Sequence, residues 1–494
     1  MKKERFKLSS SGKVAAWMAL AFVTLNSAAA GIVADGGPDG PGVSQVNGTD
    51  IVNITTPNSN GLSHNQYLDF NVDNRGAVFN NSMTAGQSQL AGMLEANKNL
   101  NGQAAGVILN EVVSRNPSLL LGQQEVFGMA ADLILANPNG ISCQGCGFIN
   151  TNNAGLIVGN PLIENGMISA YSTLDNTNSL TIGNNGITTG KVLDLVAPAI
   201  NADGEIRAAA LNVITGNNTV SADLQTISAG ENAVPLDSYY LGGMRAGKIR
   251  LVNTAQGSGV KLAGNIDAVN GFDAQSQGAL TLTGAQVTGG DIRLSGDTVR
   301  TEGQLRNEHH RTEDKRSGQS VTTETRQGRY TRTSLDGKNI TLVAQQDARL
   351  TGTDLSGQDI SVQAGTITLD SDQVAQSDTR TTNQWKMSWE NNETRKDESI
   401  RQETSNIRAA GDIRLAAATG DITLKGAKLE AGTHLSADAK GDIRLEGVTN
   451  SRTQTVSGNK RNETAKLLSG THGDVTSKEQ LVKTELIAGG NLGL

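Results

Sequence analysis

Two cysteines, Cys143 and Cys146, are the only thiols in this 494-residue chain, and they lie three positions apart in ANPNGISCQGCGFINT. That spacing suits a redox pair, half of a zinc site, or a staple. A zinc site wants about four ligands, and no histidine lies between His64 and His309. A thioredoxin-like pair belongs at the start of a helix after a strand. Here the flanks DLILANPNG and GFINTNN read as strand, turn, strand. The residues favour a disulfide across a tight turn between two strands, with a redox site as the alternative. So short a loop removes little chain entropy, which makes its value local shape. His64 is the only histidine in the first 300 residues, and His309-His310 stands in a polar segment as a solvated pair. No cluster of acid, base and nucleophile is visible, so neither catalysis nor a metal or cofactor is expected.

The elements around these residues begin with an export signal. Lys2, Lys3, Arg5, Lys7 and Lys13 precede the apolar run Val14 to Leu25, which passes into the small residues Ala28, Ala29 and Ala30. This is the pattern of a secretory signal peptide cleaved after Ala30. The run is too short to span a bilayer. Export also places the two cysteines where disulfides persist.

Composition narrows the body of the chain. It has 58 Gly, 8 Pro, 3% aromatic residues and a formal charge of −7, which leaves no core of large rings and no basic footprint for nucleic acid. Short β-branched and aliphatic stretches recur between Gly, Asn and Asp, as in GVILNEVV, ADLILA and GKIRLV. That is the signature of strands and turns; a short helical turn is expected only near Gln87 to Leu94. In the second half one phrase repeats: GDIRL at Gly290, Gly411 and Gly441, GKNITL at Gly337, GQDISV at Gly357 and GDITL at Gly420. Ile340 to Ile360 is 20 positions and Ile422 to Ile443 is 21, so one coil of a solenoid takes about 20 residues. Alternation points Ile and Leu inward and Arg, Thr or Asp outward. The fold expected is all-β: a right-handed parallel β-helix with an N-terminal capping region and extra-helical hairpins. The hairpins are expected in three polar inserts, Arg300 to Thr333, Ser377 to Arg408 and roughly Thr449 to Leu467, rich in Thr, Ser, Gln, Glu and Arg, with disordered loops as the alternative.

Four stretches in order carry a resemblance: NGLSHNQYLDFNVDNRGAVFNNS from Asn60, VILNEVVSRNPSLLLGQQEVFGMAADLILANPNGISCQGCGFINT from Val107, LDLVAPAINADGEIRA from Leu193, and YLGGMRAGKIRLVNTAQGSGVKLAGNI from Tyr240. Together they resemble the N-terminal secretion domain of two-partner-secretion exoproteins, the filamentous-haemagglutinin-like group of adhesins, haemolysins and contact-dependent-inhibition proteins. The resemblance implies Sec export to the periplasm and passage through a dedicated outer-membrane β-barrel transporter with POTRA modules, ending at the surface of a Gram-negative cell. It also implies two motifs. The first, NPNG-I, is intact at Asn137, Pro138, Asn139, Gly140 and Ile141. The second, NPNL, aligns with Asn97, Lys98, Asn99 and Leu100, where Lys98 replaces a proline and removes its preset φ. A C-x-x-C just after NPNGI occurs in a subset of the family, which agrees with the staple.

Three segments are therefore expected: a signal peptide (1–30), a secretion domain (31–270) and haemagglutinin-like β-helical repeats (271–494). The closing ELIAGGNLGL breaks off inside another repeat phrase, as a fragment of a longer exoprotein would. The expected function is that of a non-enzymatic surface adhesin or stalk, meeting a host or neighbouring cell. The alternative is the N-terminal part of a pore-forming haemolysin or of a contact-dependent-inhibition toxin carrier. Carbohydrate-active enzymes also use this fold, so fold alone does not decide.

Overall fold

The computed structural model describes residues 31–494, apart from 39, 232, 233, 463, 466 and 467. The signal peptide and its cleavage residue Ala30 lie outside the described residues. From residue 31 onward the chain winds as a parallel β-helix with three strands per coil. One coil runs through Lys248–Asn253, Gly259–Leu262 and Asn265–Ala268, and the next through Phe272–Ser276, Ala279–Thr283 and Gln286–Gly289. Each strand pairs in parallel with its counterpart one coil later: Ile249 with Phe272, Val260 with Leu280, Ile266 with Val287.

Alternation decides which side chains fill the tube. Ile292 and Leu294 are buried and Arg293 is exposed. The ladder from Ile292 continues through Ile340, Ile360 and Ile413 to Leu435. Each such side chain contributes roughly 1.5–3 kcal/mol on leaving water. The N-terminal end is closed differently. Ile32–Ala34 pairs antiparallel with Leu62–Phe70, and Gly42–Val46 pairs antiparallel with Thr49–Asn53, so the first coil does not offer an open parallel edge. Large rings sit under this cap: Tyr67 meets Phe70 edge-on at 5.2 Å, and Phe70 stacks on Phe79 at 5.9 Å.

Two additions cover apolar side chains on the outside of the coils. A four-stranded antiparallel sheet, Asn160–Glu164, Met167–Ser172, Asn218–Ser221 and Ile227–Ala229, packs Tyr171, Val220 and Leu224 onto Leu109, Ile157, Val196 and Ile214. A small hairpin, Gly86–Ser88 with Gly92–Leu94, covers Ile51, Val78 and Phe127. The helical turn expected at Gln87 to Leu94 is therefore a hairpin. Its loop is held by the buried carboxylate of Glu125, which accepts from Ser88 Oγ (2.7 Å) and from the N–H groups of Gln89 (2.9 Å) and Leu90 (3.0 Å). Local spacing gives no sign of a partner so far along the chain.

The three polar inserts are hairpins, with bounds that differ from those expected. They are Gln304–Arg316 with Gln319–Thr331, Asp372–Lys386 with Trp389–Glu403, and Val448–Asn462 with Ser469–Val482. The second starts before Ser377, and the third runs on past 467. The hairpins also pair with one another, making a six-stranded antiparallel sheet. All three leave the solenoid at the same corner, on every second coil. The intervening coils turn that corner on Gly284, Gly352 and Gly426, with φ of 59°, 56° and 60°, a region that favours glycine. Strands lie about 4.8 Å apart, so two hairpin strands match the rise of two coils.

One hydroxyl closes each hairpin base. Thr333 Oγ1 is shared between the carbonyls of Glu302 (2.6 Å) and Leu282 (3.5 Å). Ser405 Oγ is shared between Leu350 (3.0 Å) and Asp370 (3.1 Å), and Thr484 Oγ1 between Glu446 (2.6 Å) and Leu424 (3.1 Å). Ser405 Oγ also accepts the N–H of Thr353 at 3.3 Å. Replacing Ser405 by Ala leaves these buried groups unmatched and is expected to cost about 1–3 kcal/mol. Hydrogen exchange should quicken at Thr353 and along Asn406–Ala409, while exchange in the secretion domain stays unchanged.

Candidate functional site

The NPNG-I residues form one corner of a coil, between Ala131–Ala136 and Ile141–Cys143. Asn137 is fully buried and uses its whole amide. Its Nδ2 donates to the Asn116 carbonyl (3.0 Å) and to Ser118 Oγ (2.9 Å) on the coil before. Its Oδ1 accepts the N–H of Asn139 (2.9 Å), an Asx turn, and also Asn139 Nδ2 (2.9 Å). Asn139 Nδ2 reaches back to the Ser114 carbonyl at 2.9 Å. From the coil after, Asn176 Nδ2 (3.0 Å) and Asn178 Nδ2 (2.9 Å) both donate to the Pro138 carbonyl. Asn217 continues the series with 2.7 Å bonds from its Nδ2 to the carbonyls of Thr173 and Asn176. Corners of successive coils are thus joined by asparagine amides, each satisfying carbonyls that the bend would strand.

The second motif has the same construction. Asn97 is buried, its Nδ2 donates to the carbonyls of Ile54 and Asn80 (both 2.9 Å), and its Oδ1 accepts the N–H of Asn99 (3.0 Å). A 3-10 turn, Lys98–Leu100, follows, and Leu100 is buried in the core. The Asx turn therefore closes without proline, because Asn97 alone supplies the acceptor. Asn97 itself has φ −78° and ψ 110°, the extended backbone a following proline requires.

Cys143 and Cys146 are joined by a disulfide. Both are buried, at the turn between Ile141–Cys143 and Cys146–Ile149. Closing so short a loop removes about 2 kcal/mol of unfolded-chain entropy. The corner is also held by main-chain bonds from Gln144 to Leu120 (2.9 Å) and from Gly145 to Gly186 (3.0 Å).

His64 lies on the outer face of Leu62–Phe70, with Nε2 2.7 Å from Glu111 Oε2, and Gln66 Nε2 donates to the same oxygen at 3.1 Å. The hydrogen bond from His64 holds the Glu111 carboxyl below its ordinary range, against the upward pull of burial. His309 Nε2 lies 2.9 Å from Glu324 on the exposed first hairpin. The partners Asn116, Ser118, Asn176, Asn178 and Asn217 were not singled out in the sequence. For Asn116, Ser118, Asn176 and Asn178 the signals were the short phrases RNPS and NTN, spaced like the motifs themselves; Asn217 carried none.

Comparison with known proteins adds the following. The family description "TPS secretion domain" matches residues 30–282, and "Hemagglutinin repeat" matches 314–389 and 386–479. A Hemolysin of Proteus mirabilis is 47% identical over 501 residues, covering 100% of this chain and 30% of that protein. A Hemolysin of Serratia marcescens is 44% identical over 513 residues, covering 100% of this chain and 31% of that protein. The chain thus spans about a third or less of these relatives. A crystal structure of a filamentous hemagglutinin secretion domain superimposes with a TM-score of 0.50 at 34% identity, over 54% of this chain and 93% of that one.

Because Asn137 and Asn97 each satisfy several buried groups, Asn137→Ala and Asn97→Ala are each expected to lower unfolding free energy by about 3 kcal/mol. Lys98→Pro should raise it by about 0.4–1 kcal/mol, read from denaturant midpoints at constant slope. The depressed Glu111 carboxyl contributes stability that is present above its unfolded value near pH 4.5 and is lost as pH falls through the folded value. Glu111→Gln should therefore flatten the acid limb of a stability-against-pH curve below about pH 4.5.

Proposed function

The chain belongs to the two-partner-secretion exoproteins, and on that premise we propose that its N-terminal half is read by a dedicated outer-membrane transporter before it folds, and that the coils assemble only outside. The single observation that carries this reading is the burial of the asparagine that opens each motif. Asn137 is fully buried and Asn97 nearly so, with their amides committed to the protein's own main chain. Lys98 and Asn99 are exposed and Pro138 and Asn139 half-buried, but the two asparagine amides that build both corners are not free for a partner once the coils have formed. In the unfolded chain the same strand segments have free backbone groups and suit addition to a sheet edge of a periplasmic POTRA module.

The route in this proposal runs from Sec export, through the periplasm, to the outer-membrane β-barrel. Folding of successive coils outside then biases movement outward, because each coil contacts mainly its neighbours and is added onto the one before. The released product acts as a surface adhesin or stalk, with the hairpin sheet as its widest exposed face. Its similarity to the two hemolysins along its whole length supports a second reading, the N-terminal part of a hemolysin. In neither reading is the chain an enzyme. The engagement of His64 with Glu111 on a strand face supports a structural role for that histidine.

The test is secretion in a Gram-negative host with and without the candidate transporter, scored as protease-resistant product in the medium. Transporter-dependent release is expected, and release independent of the transporter would overturn the proposal. Ile249→Asp and Leu251→Asp place a charge at fully buried core positions, at a cost of several kcal/mol. They should slow release while leaving binding of the unfolded chain to the transporter unchanged.

A further inference from the structure

The four-stranded antiparallel sheet does not seal the coil face beneath it. Between the two lies a cleft of about 260 Å3 whose lining includes Ile134, Ile157 and Tyr171. On the coil face an outward row runs Ile134, Gly155, Asp194; a Cβ at Gly155 would already touch the Ile134 side chain at 3.4 Å, so a larger side chain there would take up cleft space. Two carboxylates, Asp132 and Asp194, line the same cleft. Asp132 accepts the N–H of Asn153 at 3.1 Å, and Asp194 accepts Asn212 Nδ2 at 2.8 Å. No cationic group acts on either among the described residues, and burial raises both carboxyls above the ordinary range. Some carboxylates elsewhere are matched by cations, as Asp354 and Glu403 are by Arg332 and Asp397 is by Arg452, and others, such as Glu125 and Asp273, are held by neutral donors outside any shared cleft. This cleft pairs apolar walls with two uncompensated negative groups.

The ladder fixes how far apart those groups stand. Leu133 pairs with Ala154 and Ala154 with Leu193, so Asp132 and Asp194 sit two ladder steps apart and two residues apart along the strand. That is about 9.6 Å across and about 6.6 Å along, or about 12 Å between backbones. An extended four- or five-carbon chain with an ammonium at each end, hydrogen-bonded to a carboxylate at about 2.8 Å on both sides, matches that separation.

We propose that the cleft binds a linear α,ω-diamine, with one ammonium on Asp132, the other on Asp194, and the methylenes against Ile134, Ile157 and the ring of Tyr171. Charge pairing at both ends fixes the length. The walls take the alkyl stem out of water, and the ring face adds attraction for the cation.

Calorimetric titration of the full chain with 1,4-diaminobutane, at about 150 mM salt to screen loose counter-ion binding, tests this against butylamine and 1,4-butanediol. The diamine is expected to saturate one site at least about tenfold more tightly than butylamine, a difference of about 1.4 kcal/mol, with no binding of the diol. Asp132→Asn and Asp194→Asn, which keep shape and remove charge, should each bring the diamine down to butylamine's level. Gly155→Val should abolish binding by filling the floor, while Asp273→Asn on the same coil face should leave it unchanged. Equal affinity for diamine and monoamine, or diamine binding that survives in the Asp132→Asn/Asp194→Asn double variant, would overturn the proposal. Since the two Asn variants are isosteric, loss of the fold in Gly155→Val does not remove the test.

Discussion

Parallel strands stack about 4.8 Å apart, and every coil of this chain has to meet that spacing on three faces at once. The requirement selects Ile, Leu, Val and Ala at equivalent inward positions, so that Ile292, Ile340, Ile360 and Ile413 lie directly above one another. It also selects what can be inserted, and where. Extra chain is tolerated only at a corner, where it leaves the ladder intact. Hairpins that pair with each other must then recur at the ladder's own rise, and two strands for every two coils meet that condition.

Corners are where a parallel solenoid loses its regular hydrogen bonds, and the chain repairs them in two ways. In the secretion domain, asparagine amides run from corner to corner, with Asn137 bonded to the coil before and Pro138 accepting from the coil after. In the repeats, a hydroxyl at Thr333, Ser405 or Thr484 takes over, bridging the carbonyls of two coils. An amide offers two donors and an acceptor oxygen, and a hydroxyl one donor and an acceptor oxygen. The asparagine corners are correspondingly the more deeply committed, and they hold the NPNG-I motif.

What the sequence made legible follows from the range of the interactions. The phrase GDIRL revealed the solenoid because alternation and coil length are local. The bend at NPNG is local as well, because an Asx turn is complete within three residues. The hairpins were legible as alternating polar strands, but their shared sheet was not, since Thr322 pairs with Thr381 across two coils that carry no mark of it. Gln87 to Leu94 suggested a helical turn because Leu90, Ala91 and Leu94 share a helical spacing. The deciding contact was Glu125, distant in sequence. The extra-helical sheet was missed for the same reason: Tyr171 and Val220 are unremarkable until Ile157, Val196 and Ile214 are placed on the outside of a coil.

Burial of Asn97 and Asn137 bears on the order of events. If, as proposed, these corners are also recognition elements, they can serve each purpose only at a different time, exposed first and packed afterwards. The same asparagine can satisfy both demands because its amide is a neutral donor and acceptor, indifferent to whether the partner carbonyl belongs to another protein or to its own preceding coil. Lys98 fits this account: the turn at Asn97 closes through the amide alone, so the proline that presets the bend is dispensable to the folded corner. Its value lies in the unfolded chain, where a preset φ reduces the conformations to be searched. A folded corner built on an amide thus tolerates loss of its proline more readily than loss of its asparagine.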